Sequence, residues 1–138
     1  MRRWVYGFWF TLTMIPLASF AQTGAGDGNP IKYISSCEMD FNGDGERDIA
    51  LLIESSHGRQ LIVMIKTNRG YDSFVVSQDK PEMHLSCHFG ATLKESEALG
   101  TSKVFQTPGT YIQLRQPEGG CVAYFWNGCG FTEVWTGD

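Results

Sequence analysis

Residues 40–48 constrain this chain more than any other part of it. Acidic or amide side chains stand at alternate positions with glycines between them, and the apolar run of residues 49–53 follows directly. This is the D-x-[DN]-x-[DN]-G pattern of loops that hold calcium, an ion that takes roughly six to eight oxygen ligands. Gly45 suits the positive φ of the sharp turn. The expected metal ligands are the side chains of Asp40, Asn42, Asp44 and Asp48 and the backbone carbonyl of Glu46.

An EF-hand loop begins in the same way but ends differently. It needs a bidentate glutamate at its twelfth position and a helix on each side. The twelfth position here is Leu51, and residues 48–54 are patterned as a strand. The sequence therefore argues against an EF-hand. A hairpin turn rich in Asp, Asn and Gly that holds no metal is the other interpretation of the same residues.

The stretch DFNGDGERDIALLI resembles the calcium loops of FG-GAP and VCBS-type repeats, which occur in integrin α-chain propellers and in secreted bacterial proteins. In those families the loop joins two strands, and an aspartate at the ninth position, here Asp48, closes the site. The resemblance covers this stretch alone and occurs once, whereas a propeller needs roughly four to eight blades. It therefore implies a small stand-alone exported domain with one calcium loop between its first two strands.

The first 21 residues predict a signal peptide. Arg2 and Arg3 precede an apolar stretch that is shorter than the roughly 20 residues of a membrane span. A small-x-small cleavage site follows at residues 19–21. We therefore expect a periplasmic or secreted protein with no membrane insertion after cleavage. Residues 22–30 would form a flexible leader, and residues 31–138 would form the folded domain.

The charge balance narrows the choice of partner. The whole chain carries a formal net charge of −4, and loss of the two arginines of the signal peptide makes the mature chain more acidic still. An acidic chain without a Lys/Arg cluster is a poor binder of nucleic acid or of anionic membranes. We expect the partner to be another protein.

An even number of cysteines in a small exported domain predicts disulfides, and the four are Cys37, Cys87, Cys121 and Cys129. If Asn127-Gly128 forms a two-residue hairpin turn, Cys129 lies opposite Trp126. Cys121 is then roughly 16 Å away along the strand, beyond the ~7 Å reach of a bridge. A bridge between Cys121 and Cys129 would need a different turn. We favour a long-range bridge between Cys37 and Cys87, which leaves the other two cysteines unassigned.

Hydrophobic patterning predicts an all-β fold, a compact antiparallel sheet or sandwich of about eight short strands. The runs IALLI and LIVMI, joined by a glycine-containing connection, predict a hairpin of central strands buried on both faces. Residues 90–108 lack a clear period, and we expect mainly loop and edge strand there. The aromatic residues of the last hairpin are expected to cover the core, with an exposed binding patch as the alternative. The predicted strands are residues 33–37, 48–54, 60–66, 71–76, 84–89, 111–114, 121–126 and 131–136.

Few residues are patterned for catalysis. His84 and His88 flank Cys87 and could begin a zinc site on a helix, but on a strand the histidines point away from the cysteine. The chain has no nucleophile elbow, CxxC pair or Walker-type loop, and Glu95 and Glu97 have no identifiable partner acid. The sequence therefore predicts a non-catalytic, calcium-stabilised binding module. The alternative is a periplasmic inhibitor or immunity-type protein that blocks an envelope-targeting enzyme through residues 90–108 or 116–120.

Overall fold

The computed structural model describes residues 30–80, 82–100 and 102–137. The expected signal peptide, residues 1–21, and all but the last residue of the expected leader lie outside the described residues. The described part of the chain contains no α-helix, and none of its helical segments is long and apolar enough to cross a membrane.

Eight antiparallel strands form two four-stranded sheets, which confirms the all-β prediction. The first sheet has the order β1-β2-β3-β4, and the second has the order β5-β6-β7-β8. One turn of 3-10 helix, Glu97–Leu99, lies between β5 and β6. The strands are β1 (Lys32–Met39), β2 (Asp48–Ser55), β3 (Gly58–Thr67), β4 (Gly70–Lys80), β5 (His84–Lys94), β6 (Val104–Arg115), β7 (Cys121–Trp126) and β8 (Phe131–Trp135).

The main core lies between the two sheets. Alternate residues of each strand point to one face, and the inner faces of both sheets contribute side chains that are fully or almost fully buried. From the connection between β1 and β2, Phe41 joins this cluster. The buried side chains from the central strands of the two sheets are Ala50, Leu52, Leu61, Val63, Ile65, Ile112, Leu114, Val122 and Tyr124.

The prediction that the IALLI and LIVMI strands are buried on both faces is wrong. Their inner side chains are buried, but the alternate residues Ile49, Leu51, Ile62 and Met64 are only partly buried. The physical reason is that the first sheet packs against the second on one side only, so its other side forms an outer face. Ile53, at 7% exposure, is the exception on that face.

The expectation of mainly loop and edge strand at residues 90–108 is confirmed in part, because β5 is an edge strand and a connection with one 3-10 turn follows it, but more of the segment is strand than its pattern indicated. β5 continues to its end at Lys94, and β6 already begins at Val104. A register shift between Gly90 and Thr92 interrupts the alternation of side chains, which hid the strand from sequence patterning. Beyond this shift, Leu93 packs against the second face of the β7–β8 hairpin in a smaller cluster with Ala123, Phe125 and Val134.

The aromatic side chains of the last hairpin mostly cover the core, as expected. Tyr124 and Phe125 are buried. Trp126 and Phe131 pack edge-on against Phe74 of β4, with ring centroids 5.4 and 6.0 Å from the Phe74 centroid. Trp135 differs from the expectation, because it lies on the edge strand β8 and is 39% exposed.

The predicted bridge between Cys37 and Cys87 is confirmed, and it joins β1 of the first sheet to β5 of the second. Cys121, which is buried, and Cys129, which is exposed, are free thiols.

The expected two-residue turn at Asn127-Gly128 is wrong. Trp126 pairs with Phe131, so the turn between β7 and β8 contains four residues and Cys129 lies within it. The Asn127 side chain explains the wider turn, because its Oδ1 accepts hydrogen bonds from the backbone N–H groups of Cys129 and Gly130, both at 3.1 Å.

Candidate metal-binding loop

The loop that connects β1 to β2 contains the expected metal ligands. It leaves the first sheet after Met39 and returns at Asp48, the first residue of β2. Phe41, only 1% exposed, inserts into the core between the sheets and fixes the start of the loop. The residues after it, from Gly43 to Arg47, are exposed.

The carboxylate of Asp40 organises the turn. Its Oδ1 accepts hydrogen bonds from the backbone N–H groups of Gly43 at 2.7 Å and Asp44 at 3.1 Å. Its Oδ2 accepts one from the N–H of Gly45 at 2.8 Å. Three consecutive backbone donors therefore point at one side chain, and the positive φ of Gly45, +89°, lets the chain wrap around it.

Asn42 and Asp44 are held together on the exposed side of the loop. Asn42 Nδ2 donates to Asp44 Oδ2 at 2.8 Å, and the backbone N–H of Glu46 donates to Asp44 Oδ1 at 2.8 Å. The hydrogen bond from Glu46, and then the one from Asn42, hold the pKa of the Asp44 carboxyl below its usual range. Asp44 therefore carries its negative charge at neutral pH.

Asp48 is fully buried at the other end of the loop. Its Oδ2 accepts from the backbone N–H of Phe41 at 2.8 Å, and its Oδ1 accepts from the backbone N–H of Lys66 on β3 at 2.7 Å. Burial raises the pKa of the Asp48 carboxyl, and the negative charge of Asp44 raises it further, while hydrogen bonds from the backbone of Lys66, Phe41 and Asn42 act in the opposite direction. No ion pair of the described residues includes Asp48.

The second sheet supports the loop from one side. Thr110 of β6, which is buried, donates its hydroxyl hydrogen to the backbone carbonyl of Asp40 at 2.5 Å. Gly43 lies against Pro108, since a Cβ at Gly43 would sit 3.4 Å from Pro108 Cβ. An open groove of about 500 Å³ lies between the loop and the β5–β6 hairpin. Phe89, which is 81% exposed, contributes to its wall.

The expected ligands lie in one loop, but their oxygen atoms do not converge on a single position. No group of three or more His, Cys, Asp or Glu side chains within the described ranges is arranged to hold a metal ion. Asp40, Asn42 and Asp44 share one hydrogen-bonded turn, whereas Asp48 binds backbone N–H groups on both of its oxygens. A carboxylate oxygen has two lone pairs, so an oxygen that accepts one N–H can also bind a cation. The oxygen-rich residues fit a hard dication such as calcium.

On β5, the side chains of Cys87 and His88 contact other protein groups. Cys87 is oxidised in the bridge to Cys37. His88 stacks on Tyr111 with ring centroids 5.3 Å apart, and its Nε2 lies 2.9 Å from Ser86 Oγ. These contacts use the strand geometry that sequence reasoning favoured, with the histidine and the cysteine on opposite faces.

Sequence reasoning missed the residues that dock the loop onto the second sheet. Thr110 lies 70 positions from Asp40 in the chain, and Pro108 lies in a segment that we expected to be mainly loop and edge strand. Neither residue belongs to a motif, so only the pairing of β5 with β6 places them beside the loop.

No protein-family model, no curated protein and no solved structure matches this chain.

Proposed function

We propose that this protein is an exported, non-catalytic β-domain, similar to a single FG-GAP or VCBS-type unit, that is stabilised by calcium in the loop of residues 40–48 and binds another protein. The observation that carries the calcium part is the environment of Asp48. A fully buried carboxylate with no ion pair among the described residues has backbone N–H groups but no counter-charge to offset its negative charge. Burial of an uncompensated charge is costly, and a bound dication would offset that cost.

The remaining ligands follow from the shape of the loop. The loop brings three carboxylates, Asp40, Asp44 and Asp48, into one short segment, and one Ca²⁺ would reduce their combined charge from −3 to −1. The hydrogen bonds to Asp40 already form the turn, so little chain entropy is lost when the cation binds. The carboxylate oxygens of Asp44 and the Oδ1 of Asn42 each accept one hydrogen bond and keep a lone pair for the ion. The backbone carbonyl of Glu46 is the fifth proposed ligand.

The binding part of the proposal is supported by the groove beside the loop. Phe89 is the most exposed large hydrophobic side chain among the described residues, and aromatic residues are enriched in protein interfaces. The groove also contains carboxylates from the loop and the adjacent strand, including Glu38 and Glu46. A calcium ion in the loop would hold one wall of this groove in place.

The inhibitor alternative has less support. An inhibitor needs a protruding segment that enters the cleft of its target, and the start of the connection between β5 and β6 lies against the last strand instead. The N–H of Ser96 donates to the carbonyl oxygen of Trp135 at 2.7 Å. The N–H of Gln116 donates to the carbonyl oxygen of Gly120 at 3.0 Å, which closes the other candidate segment into a tight turn.

The first experiment is a thermal melt of the mature domain after removal of metal. A ligand that binds only the native state stabilises it by about 2.7 kcal/mol at a concentration of 100 Kd. We expect the melting temperature to rise with calcium and to fall again with chelator. Magnesium should act weakly, because it demands near-octahedral geometry at about 2.0–2.1 Å. An unchanged melting curve across millimolar calcium would refute the metal site.

Two matched variants locate the effect. Asp44→Ala removes an exposed ligand and should keep the fold while losing most of the calcium-dependent rise in melting temperature. Asp72→Ala removes an exposed aspartate of β4, outside the loop, and should retain the full rise. If both variants respond to calcium as the unmodified domain does, the ion binds elsewhere.

The binding function is tested by capture of a partner from envelope extract. Immobilised mature domain should retain a protein in calcium, and Phe89→Ser should reduce that retention without changing the melting temperature. Retention of a single enzyme whose activity is then blocked would favour the inhibitor alternative. No retained protein in either calcium or chelator would contradict the binding function.

A further inference from the structure

The outer face of the first sheet has an aliphatic centre surrounded by polar and aromatic residues. Paired residues of adjacent strands share a face, so the strand register defines which side chains are neighbours. The central row contains Leu51, Ile62 and Val75, and the next row contains Ile49 and Met64. Ile53 extends the patch toward the β2–β3 turn.

No second layer of the described chain covers this face. Neither of the two buried clusters within the described ranges includes any of these side chains. Val75 is 54% exposed, and Tyr33, which pairs with Ile53 at the margin, is 61% exposed. The two apolar runs that sequence patterning assigned to a doubly buried hairpin therefore have one face without a partner.

The charges of this face lie at its margin. Glu38 lies on the edge strand β1 and pairs with Ile49 of β2. Lys66 is near the end of β3, where its ammonium lies 4.9 Å from the centroid of the Tyr71 ring. Apart from Glu38 and Tyr33 on β1, the rows of Ile49, Leu51 and Ile53 consist of aliphatic, serine and glutamine residues. A surface of this composition has no charge pattern to select an acidic or a basic partner.

The size of the face matches the lower limit for a stable contact. With strands about 4.8 Å apart and residues about 3.3 Å apart, four strands of about eight residues make a face of roughly 500 Å². Two such faces in contact remove roughly 1,000 Å² from water, the size at which specific interfaces begin.

We propose that this face is the interface of a homodimer, in which the outer faces of two first sheets pack against each other. An aliphatic sheet surface can pack against its own copy, and a two-fold axis brings the same residues of both copies together. Packed sheets approach to about 10 Å and interdigitate the side chains between them. The dimer explains why β2 and β3 are apolar on both faces, and it does not depend on calcium or on the groove beside Phe89.

The test is sedimentation equilibrium of the mature domain over a range of concentrations. Every protein carries Cys129→Ser, which removes the exposed thiol so that no intermolecular disulfide contributes. We expect a dimer that dissociates on dilution into the micromolar range, because interfaces of this size are weak. The measurement is made in calcium and in chelator. If the protein is a dimer in calcium and in chelator, the dimer interface is supported whether or not calcium raises the melting temperature. The two proposals can therefore fail independently.

A matched pair of variants locates the interface. Ile62→Glu places two unpaired carboxylates in the centre of the contact and should raise the dissociation constant at least about a hundredfold. Val104→Glu makes the same change of charge at a residue of the second sheet that is 59% exposed and should leave the dissociation constant unchanged. If Ile62→Glu fails to fold, as judged by far-ultraviolet circular dichroism, Leu51→Thr is the milder substitute and should weaken the dimer about tenfold.

Two outcomes would overturn the proposal. The first is an unmodified domain that remains monomeric at the highest concentration, which would leave the face for a different protein. The second is a dimer that Val104→Glu disrupts and Ile62→Glu does not, which would place the contact on the second sheet.

Discussion

Among single residues, Tyr124 shows how a polar group is accommodated in this core. It is 1% exposed, and its hydroxyl donates a hydrogen bond to Glu133 Oε2 at 2.9 Å. Burial raises the pKa of the Tyr124 hydroxyl above its usual range, and the Glu133 carboxylate contributes in the same direction. The folded protein therefore keeps this proton at a pH where an unfolded tyrosine loses it.

Tyr124→Phe should change the alkaline stability of the domain. An unfolded tyrosine ionises near pH ~10. Because the folded pKa is raised, the stability contributed by Tyr124 is complete below that pH and is lost as the pH rises above it. At neutral pH the variant loses a hydrogen bond worth about 0.5–1.5 kcal/mol. Urea midpoints from neutral to alkaline pH should show this difference shrinking above pH ~10. A difference that stays constant would contradict the assignment.

Gly45 tests backbone strain in the loop. Its φ is +89°, and a Cβ built there meets nothing within 4 Å, so a larger residue causes strain without a clash. Gly45→Val should lower the free energy of unfolding by about 1–3 kcal/mol, with or without calcium. Gly130→Val is the matched control, since its Cβ also meets nothing within 4 Å and its φ is outside the left-handed region. Equal losses in urea denaturation would show that φ is not the cause.

Among the elements, β1 and β5 form the covalent connection between the sheets. The bridge from Cys37 to Cys87 spans a sequence separation of 50. It lies three residues before Asp40, and Thr110 beside β5 holds the Asp40 carbonyl. The disulfide at Cys37 and the hydrogen bond at Asp40 thus attach neighbouring positions of the chain to the second sheet.

Removal of the bridge should destabilise the domain. In the chain-entropy view, a closed loop of this length is worth about 4 kcal/mol, and measured values are often about 2–4 kcal/mol. The double variant Cys37→Ala, Cys87→Ala should lower the urea midpoint accordingly. Cys129→Ser, which changes an exposed free thiol, should leave the midpoint nearly unchanged. Reductant should lower the midpoint of the unmodified domain and have no effect on the double variant. A double variant as stable as the unmodified domain would contradict the structural role of the bridge.

The strand geometry of β2 also decides the EF-hand question. Asp48 lies on the inner face, and Leu51, three residues later, lies on the outer face. The side chain at the twelfth loop position, Leu51, therefore points to the opposite face of the sheet from the Asp48 carboxylate. The strands on both sides of the loop, where an EF-hand has helices, support the sequence argument against an EF-hand.

For the whole molecule, one core shared by both sheets couples their stability. Cys121 begins β7 and is 4% exposed, while Cys129 lies in the exposed turn after it. A buried thiol reacts only when the structure opens, and the core elements open least often.

The two free thiols should therefore react at different rates. A thiol reagent added to the native protein should label Cys129 at once and Cys121 more slowly, by at least about a hundredfold. Mass spectrometry of the digested protein identifies the labelled residue, and labelling in concentrated urea is the control in which both thiols should react alike. Equal rates in the native protein would show that β7 is not part of a stable core.

Local sequence patterns predicted much of the fold. The alternation of apolar residues and the glycine-containing turns located all eight strands, because strand period and turn chemistry are short-range properties. The Asp40 turn is similarly local, since its hydrogen bonds join residues no more than five positions apart. The long-range bridge was favoured because a bridge between Cys121 and Cys129 needed a turn other than the two-residue turn that the sequence predicted.

Other features were decided by the tertiary structure alone. Which face of β2 and β3 is buried depends on where the second sheet lies. A continuous apolar run does not indicate the position of that sheet. The extension of β5 and β6 beyond Gly90 depends on a register shift that interrupts the period. Burial of Asp48 and the support of Asp40 by Thr110 depend on β3 and β6, which are distant in the chain. A sequence motif can therefore identify the residues of the loop. Packing against distant strands determines how deeply their carboxylates are buried and which hydrogen bonds hold the loop.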